Sequence, residues 1–169
     1  MTTSRINWLI EKQEGLADIH RESLEALQLD RLNALLEREH QRQGYYKNLP
    51  AHLDSLAQLA ELPFTDDEAL AEHGGRMLLV SQGDIQRVLS DATSGTTGRA
   101  KRVFYTEADC KHTVELFMAG LGEFVFPGSV TMITMPFAGP YGLGELIAEA
   151  IENLGARPLK VGWGRTYGE

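Results

Sequence analysis

Residues 93–101 read Thr-Ser-Gly-Thr-Thr-Gly-Arg-Ala-Lys, and they lie between two short strand-like segments at residues 85–89 and 103–105. The two segments are predicted β-strands, so the hydroxyl- and glycine-rich string is predicted to connect them. Glycine lets a backbone approach a ligand closely, Ser and Thr hydroxyls add hydrogen-bond donors, and a lysine offsets phosphate charge. The composition of this string is therefore typical of a loop that binds the polyphosphate of a nucleotide.

Two other interpretations of the string compete with this one. A P-loop of the NTPase kind ends in Gly-Lys-Ser/Thr at the start of a helix. Here Lys101 is followed by the strand-like residues 103–105, which weakens a kinase or GTPase interpretation. The structural alternative is a flexible hairpin loop of small polar residues, which is common where a single Gly-Thr or Ser-Gly pair occurs. The density of hydroxyls and glycines favours the phosphate loop.

The string resembles the phosphate-binding signature of the adenylate-forming superfamily, in which Ser/Thr-Ser-Gly-Thr-Thr-Gly is followed by two variable residues and a lysine. Residues 27–32, 45–47 and 56–65 are also similar to the N-terminal region of the phenylacetate-CoA ligases, in the same order and spacing. The pattern of that family can be followed from about Leu24 to Val161. The resemblance is therefore to the N-terminal portion of an AMP-forming, ATP-dependent carboxylate-CoA ligase.

In such ligases a carboxylate attacks the α-phosphate of ATP, pyrophosphate leaves, and coenzyme A captures the acyl-adenylate. The resemblance implies ATP with Mg²⁺ and coenzyme A as cofactor and co-substrate, with a small carboxylic acid, aromatic or related, as the substrate. Arg99 is a weaker candidate for phosphate contact. The residues expected against the β- and γ-phosphates are Thr93, Ser94, Gly95, Thr96, Thr97, Gly98 and Lys101.

The predicted fold class is α/β, with a helical N-terminal region over residues 1–75. The resemblance implies that residues 76–169 form a partial adenylate-forming N-terminal subdomain, an incomplete α/β nucleotide-binding unit that carries the loop at 93–101. Apolar spacing predicts a helix within residues 16–43. Capping-box patterns at residues 65–68 and 106–109 predict the starts of two more helices. A strand at 130–135, a helix stopped by Gly155 and a strand at 157–161 predict a parallel βαβ unit.

A second candidate site follows the predicted strand at residues 130–135. Open α/β sheets usually bind ligands beyond the carboxyl ends of their strands. The resemblance therefore assigns a tentative acyl or aryl-acid pocket to Phe137, Gly139, Tyr141 and Gly142. The alternative is that Phe137 and Tyr141 pack in the core, as aromatic residues near strand ends often do.

The formal charge of −8 and the dispersed basic residues disfavour nucleic-acid binding. Cys110 is the single cysteine, which excludes an internal disulfide and fits a cytoplasmic setting, and no apolar run reaches the length that spans a bilayer. Because the histidines are scattered singly, no metal site is expected, and Cys110 is expected to be packed rather than reactive. The expected partners are the small acid, ATP and coenzyme A.

The later motifs of the family have no match in this sequence: its aromatic-Gly-x-Thr-Glu string, its ribose-binding Asp and its catalytic Lys. The catalytic residues are therefore expected beyond the end of the chain, which alone is expected to be incomplete and inactive. It would be a fragment or one subunit of a split enzyme, associating with itself or with a complementing C-terminal part. The alternative hypothesis is a truncated, non-catalytic fragment or interaction module that keeps the fold. A phosphate-binding transferase unrelated to the ligases ranks last.

Overall fold

The computed structural model describes residues 5–91, 101–137 and 139–162. In chain order its helices and strands are α1 (Arg5–Glu14), α2 (Arg21–Gln41), α3 (Asp67–His73), β1 (Ile85–Asp91), β2 (Lys101–Thr106), α4 (Glu107–Leu121), β3 (Val130–Ile133), α5 (Leu143–Asn153) and β4 (Arg157–Lys160). Short 3₁₀ turns lie at Leu56–Glu61, Gly74–Arg76 and Gln82–Asp84.

The helix starts show how far local sequence decides structure. The Thr106 hydroxyl accepts a hydrogen bond from the Asp109 amide, and the Asp109 carboxylate accepts one from the Thr106 amide, as the capping-box pattern predicted for α4. The capping box predicted at residues 65–68 is wrong in its first residue. Asp66 caps α3 by accepting from the Ala69 amide at 2.8 Å. The Thr65 hydroxyl instead forms a hydrogen bond with the Tyr46 hydroxyl at 2.8 Å. Its partner therefore lies 19 residues away in the chain and not in the first turn of α3.

The chain folds into two compact units, Met1–Ala17 with Tyr105–Glu169 and Asp18–Phe104. The first unit contains the parallel βαβ unit that the sequence predicted. β3 and β4 pair in parallel, with Val130 opposite Arg157 and Ile133 opposite Lys160. The crossover helix α5 stops at Gly155, which has a φ of +76° as a helix-terminating glycine requires. The predicted α/β fold class and its parallel unit are confirmed.

The core of the first unit lies along α5, because this helix buries its apolar side against β3 and α4. Ile151 and Ala150 are 0% exposed. Ile151 clusters with Ile133 and Ile147, while Ala150 clusters with Cys110 and other α4 residues. α1, which apolar spacing did not reveal, packs on α4. α5 is thus fixed between the strand pair and α4.

The second unit contains α2, α3, β1 and part of β2. α2 begins where His20 accepts a hydrogen bond from the Ser23 amide, so the predicted helix within residues 16–43 is confirmed over Arg21–Gln41. Asn33 on α2 exchanges two hydrogen bonds with the backbone of the buried Leu53. The predicted boundary between a helical region at residues 1–75 and an α/β subdomain at residues 76–169 stays a prediction.

Candidate functional site

The candidate phosphate loop joins two strands that are hydrogen-bonded to each other, since β1 and β2 form a two-stranded sheet. A parallel crossover needs about a dozen residues or more, whereas only residues 92–100 separate these strands, so the geometry is that of a hairpin. Lys101 is the first residue of β2. The predicted contacts from residues 93–99, comprising Thr93, Ser94, Gly95, Thr96, Thr97, Gly98 and Arg99, lie outside the described residues.

A hollow of about 750 Å³ lies against the strands that lead into and out of this loop. Val88 of β1 and Arg102 and Phe104 of β2 form one side of it, and the Gly74-Gly75 turn forms another. A Cβ on Gly74 would lie 3.5 Å from the Arg102 carbonyl oxygen, so the turn approaches β2 closely. From the sequence, the glycine pair could be interpreted only as a helix break. That it packs against β2 is visible only in the tertiary structure.

The second candidate site forms the turn between β3 and α5. Gly139 has a φ of +80° and Tyr141 a φ of +61°, and the Gly142 amide donates to the Gly139 carbonyl oxygen at 2.9 Å. Gly142 is the N-cap residue of α5. Tyr141 is 39% exposed. A tyrosine in the left-handed region is uncommon, and such backbone strain clusters at functional sites as well as in tight turns.

Phe137 has a different environment from Tyr141. It packs against the core cluster of the first unit, and a Cβ on Gly144 would lie 2.9 Å from its ring. The Lys160 ammonium lies 5.7 Å from the centroid of the same ring. These contacts favour a packing role for Phe137, with its ring held between α5 and β4.

Gly139 and Tyr141 lie together at a hollow of about 610 Å³, and Phe137 and Gly142 are not among its lining residues. Glu145, Glu149 and Glu152 of α5 and Lys160 of β4 also line it. Lys160 forms an ion pair with Glu145. The lining carries three carboxylates and one ammonium, and the Lys111 ammonium of α4 also attracts Glu149 and Tyr141, so the lining keeps a small excess of negative charge, which disfavours an anionic carboxylate. The exposed Tyr141 ring gives the hollow an aromatic surface.

The perturbed carboxylates of the first unit have structural explanations. Hydrogen bonding and charge attraction from Lys111, one turn along α4, lower the pKa of Glu107. Hydrogen bonds from Lys12 and Gln13 of α1 lower the pKa of Glu115 on α4. Cys110 is 3% exposed, as expected for a packed thiol. Within residues 5–91, 101–137 and 139–162, no three His, Cys, Asp or Glu residues form a group that could hold a metal ion.

Comparisons with known proteins show what this chain is similar to. No protein-family model matches the chain. A phenylacetate-CoA ligase from Thermus thermophilus is 32% identical over an alignment of 117 residues, and the match covers 64% of this chain. The chain is similar to a phenylacetate-CoA ligase. The resemblance that the loop and the N-terminal segments carried is thereby confirmed.

The fold of this phenylacetate-CoA ligase-like chain also matches solved ligases. A 2-hydroxyisobutyryl-CoA ligase in the postadenylation state, in complex with 2-HIB-AMP, matches 89% of the chain with a TM-score of 0.66 and 18% identity. The same ligase with 2-HIB-AMP and CoA in the thioesterification state matches with a TM-score of 0.68 and 21% identity. At such low identity the likeness establishes the fold alone.

The phenylacetate-CoA ligase-like chain is short beside these proteins. It spans 26% of the Thermus enzyme and 33% to 34% of the solved ligase in its two structures. In the helices that the structure describes, no segment is long and apolar enough to cross a membrane.

Proposed function

We propose that this chain supplies the phosphate-binding portion of an AMP-forming acid-CoA ligase, which joins a small carboxylic acid to coenzyme A through an acyl-adenylate. The observation that carries the proposal is the nine-residue signature at 93–101, which occupies the connection between the paired strands β1 and β2. A hairpin holds both ends of such a loop at fixed positions. The loop amides and hydroxyls can then be preorganised for a polyphosphate.

The proposed roles follow from chemical type. Hydroxyls of Thr93, Ser94, Thr96 and Thr97 donate to the β- and γ-phosphate oxygens, while Gly95 and Gly98 let the backbone approach. Lys101 offsets the phosphate charge from the first residue of β2. Catalysis by this segment is positioning: it holds the α-phosphate where the acid carboxylate can attack and where pyrophosphate can leave.

Mg²⁺ accompanies ATP in the proposed reaction. The described residues contain no group of three metal-ligating side chains, and Mg²⁺ in nucleotide enzymes is commonly held by substrate phosphates and waters with one or two carboxylates.

The substrate proposed is an aromatic or related small acid, with Phe137, Gly139, Tyr141 and Gly142 at its pocket. Tyr141 is the best supported of the four, because it lines a hollow and exposes its side chain. The carboxylates of α5 disfavour the acid group at this place. The apolar body of the acid is therefore proposed to contact Tyr141, with its carboxylate directed elsewhere.

The proposal limits what this stretch does by itself. Because the chain spans only 26% to 34% of its relatives, we expect nucleotide binding without the complete reaction. The competing hypothesis, a non-catalytic interaction module that keeps the fold, predicts no preference for ATP. Binding of ATP compared with AMP separates the two hypotheses, since AMP lacks the phosphates that the loop is proposed to hold.

The test is calorimetric titration of the chain with MgATP and with AMP. Lys101→Ala removes a charge-assisted contact with the phosphates, which is worth about 1.5 to 3 kcal/mol, so the Kd for ATP should rise by about tenfold to a hundredfold. Lys111→Ala is the matched control, because Lys111 is exposed and pairs with Glu107 on α4. The proposal fails if the wild-type chain binds ATP no more tightly than AMP, or if both substitutions have the same effect.

A further inference from the structure

An apolar hollow of about 470 Å³ lies within the second unit. Helix α2 forms one wall of it through Leu32, Leu35 and Leu36, and the other walls come mainly from apolar side chains between residues 46 and 79. Every lining residue belongs to residues 18–104, so this unit alone forms the walls. A largely apolar lining with a few polar groups, at this volume, is typical of small-molecule sites. The space is called the α2 hollow.

One polar side chain of the α2 hollow is buried without hydrogen bonds. Glu39 is 3% exposed, and within the described residues neither of its carboxylate oxygens accepts a hydrogen bond. Leu32, Leu35 and Leu36 precede Glu39 by about one or two helical turns, so all four side chains share one face of α2. Glu39 therefore lies on the helix face that lines the hollow.

The position of this carboxylate is unfavourable for stability. Glu39 lies in the last turn of α2, at the negative end of the helix dipole. A buried carboxylate without hydrogen bonds has lost its hydration without a replacement. A Cβ on Gly44 would collide with both carboxylate oxygens, so the backbone there packs directly against them. Buried polar groups that lack partners need an explanation, and a functional site is one of the recurring explanations.

The charge of Glu39 is balanced, whereas its hydrogen-bonding capacity is not used. The Arg42 Nε atom lies 3.4 Å from Glu39 Oε1, which forms an ion pair but no hydrogen bond. The hydroxyls of Tyr46 and Thr65, which also line the hollow, hydrogen-bond each other at 2.8 Å. A second cation in the hollow would be repelled by Arg42, and an anion would be repelled by Glu39. The lining therefore fits an uncharged ligand that donates a hydrogen bond.

We propose that the α2 hollow binds an uncharged small molecule with an apolar body and one hydroxyl group, an aryl or alkyl alcohol, whose hydroxyl donates to Glu39. The apolar body leaves water for the leucine-rich walls, which is favourable by the hydrophobic effect. The hydroxyl supplies the donor that the carboxylate lacks, and a hydrogen bond to a charged acceptor is stronger than one between neutral groups. Neither the phosphate loop nor the ligase reaction takes part in this binding.

Two isomeric probes separate the hydroxyl from the apolar body. Para-propylphenol and para-ethylanisole contain the same atoms, but only the phenol donates a hydrogen bond. Each is titrated into the full chain with isotope-labelled methionine methyl groups and followed by NMR. Met77 lines the α2 hollow and Met118 lies in the other unit, so a saturable shift of the Met77 signal alone locates the probe. The phenol should bind about tenfold to a hundredfold more tightly than the ether.

Glu39→Gln tests the acceptor, because glutamine keeps the size of the side chain but loses its charge. The preference for the phenol over the ether should fall by about tenfold. Glu37→Gln is the matched control, since Glu37 is exposed on the same helix and accepts a hydrogen bond from Gln41. It should leave the preference unchanged. Circular dichroism and the urea midpoint show that each variant is folded.

A larger side chain tests the place of binding without altering Glu39. Leu35 lines the hollow and is 42% exposed, so Leu35→Trp should fill the space and still fold. It should raise the Kd of both probes by more than about tenfold. Ala34→Trp is the matched control, because Ala34 is the exposed neighbour that does not line the hollow.

Equal affinity for the phenol and the ether would refute the assignment, as would equal effects of Glu39→Gln and Glu37→Gln. Absence of a saturable Met77 shift with either probe, or unchanged binding to Leu35→Trp, would also overturn it. Lys101→Ala should not change the affinity for the phenol. Loss of the ATP preference with retained phenol binding would reject the proposed function and leave the α2 hollow as a site, and the opposite result would do the reverse.

Discussion

Replacing Ile151 by alanine tests whether α5 and the β3–β4 pair enclose a packed core. Ile151 is 0% exposed and clusters with Val125, Ile133 and Ile147. The substitution removes three carbon groups at about 0.8 kcal/mol each, and the unfilled cavity raises the expected loss to about 3 kcal/mol. Because small proteins have a free energy of unfolding of about 5 to 15 kcal/mol, this is a large part of the total.

The measurement is urea unfolding followed by circular dichroism, with Ile151→Val and Leu159→Ala as companions. Ile151→Val should cost about 1 kcal/mol. Leu159→Ala should cost about 1 kcal/mol or less in the isolated chain, because Leu159 is 47% exposed. If Ile151→Ala lowers the free energy of unfolding no more than Leu159→Ala does, with an unchanged denaturant slope, the assignment of Ile151 to the core and of Leu159 to an exposed face is wrong.

Two further predictions concern the first unit. Gly155→Ala should destabilise it by about 1 to 2 kcal/mol, because φ is +76°. Gly120→Ala, inside α4 with open space at its Cβ, should instead stabilise by about 0.5 to 1 kcal/mol. Because the pKa of Glu115 is lowered in the folded state, its carboxylate stabilises the fold above the ordinary carboxyl pKa of 4.5, and this contribution is lost as the pH falls through the folded pKa. Glu115→Gln should therefore reduce the loss of unfolding free energy that occurs on acidification.

Both predictions are checked by unfolding curves, with pH as the second variable for Glu115→Gln. At neutral pH that substitution should cost under about 1 kcal/mol, because water screens a contact between partly exposed side chains. Equal effects of the two glycine substitutions would contradict the helix-terminating role of Gly155. An unchanged dependence on pH would show that Lys12 and Gln13 do not hold Glu115 in solution.

The strands that flank the candidate phosphate loop could be predicted because their signals are local. The short segments on either side of the loop have the β-branched and aromatic residues typical of strands, and the structure pairs them. The hollow beside β2 could not be predicted, since Gly74 contacts the Arg102 backbone across a long stretch of chain. The environments of Phe137 and Tyr141 likewise differ although their sequence signals were the same.

The amino-acid sequence alone determined several helix boundaries and the order of the parallel unit. The Thr106–Asp109 capping box, the helix stop at Gly155 and the parallel βαβ order each depend on hydrogen bonds, backbone angles or connection rules among near neighbours. Only the tertiary structure decided that α1 packs on α4 and that Tyr46 takes the Thr65 hydroxyl. Periodicity marks which side of an element is apolar, but which distant surface covers that side depends on packing between segments far apart in the chain.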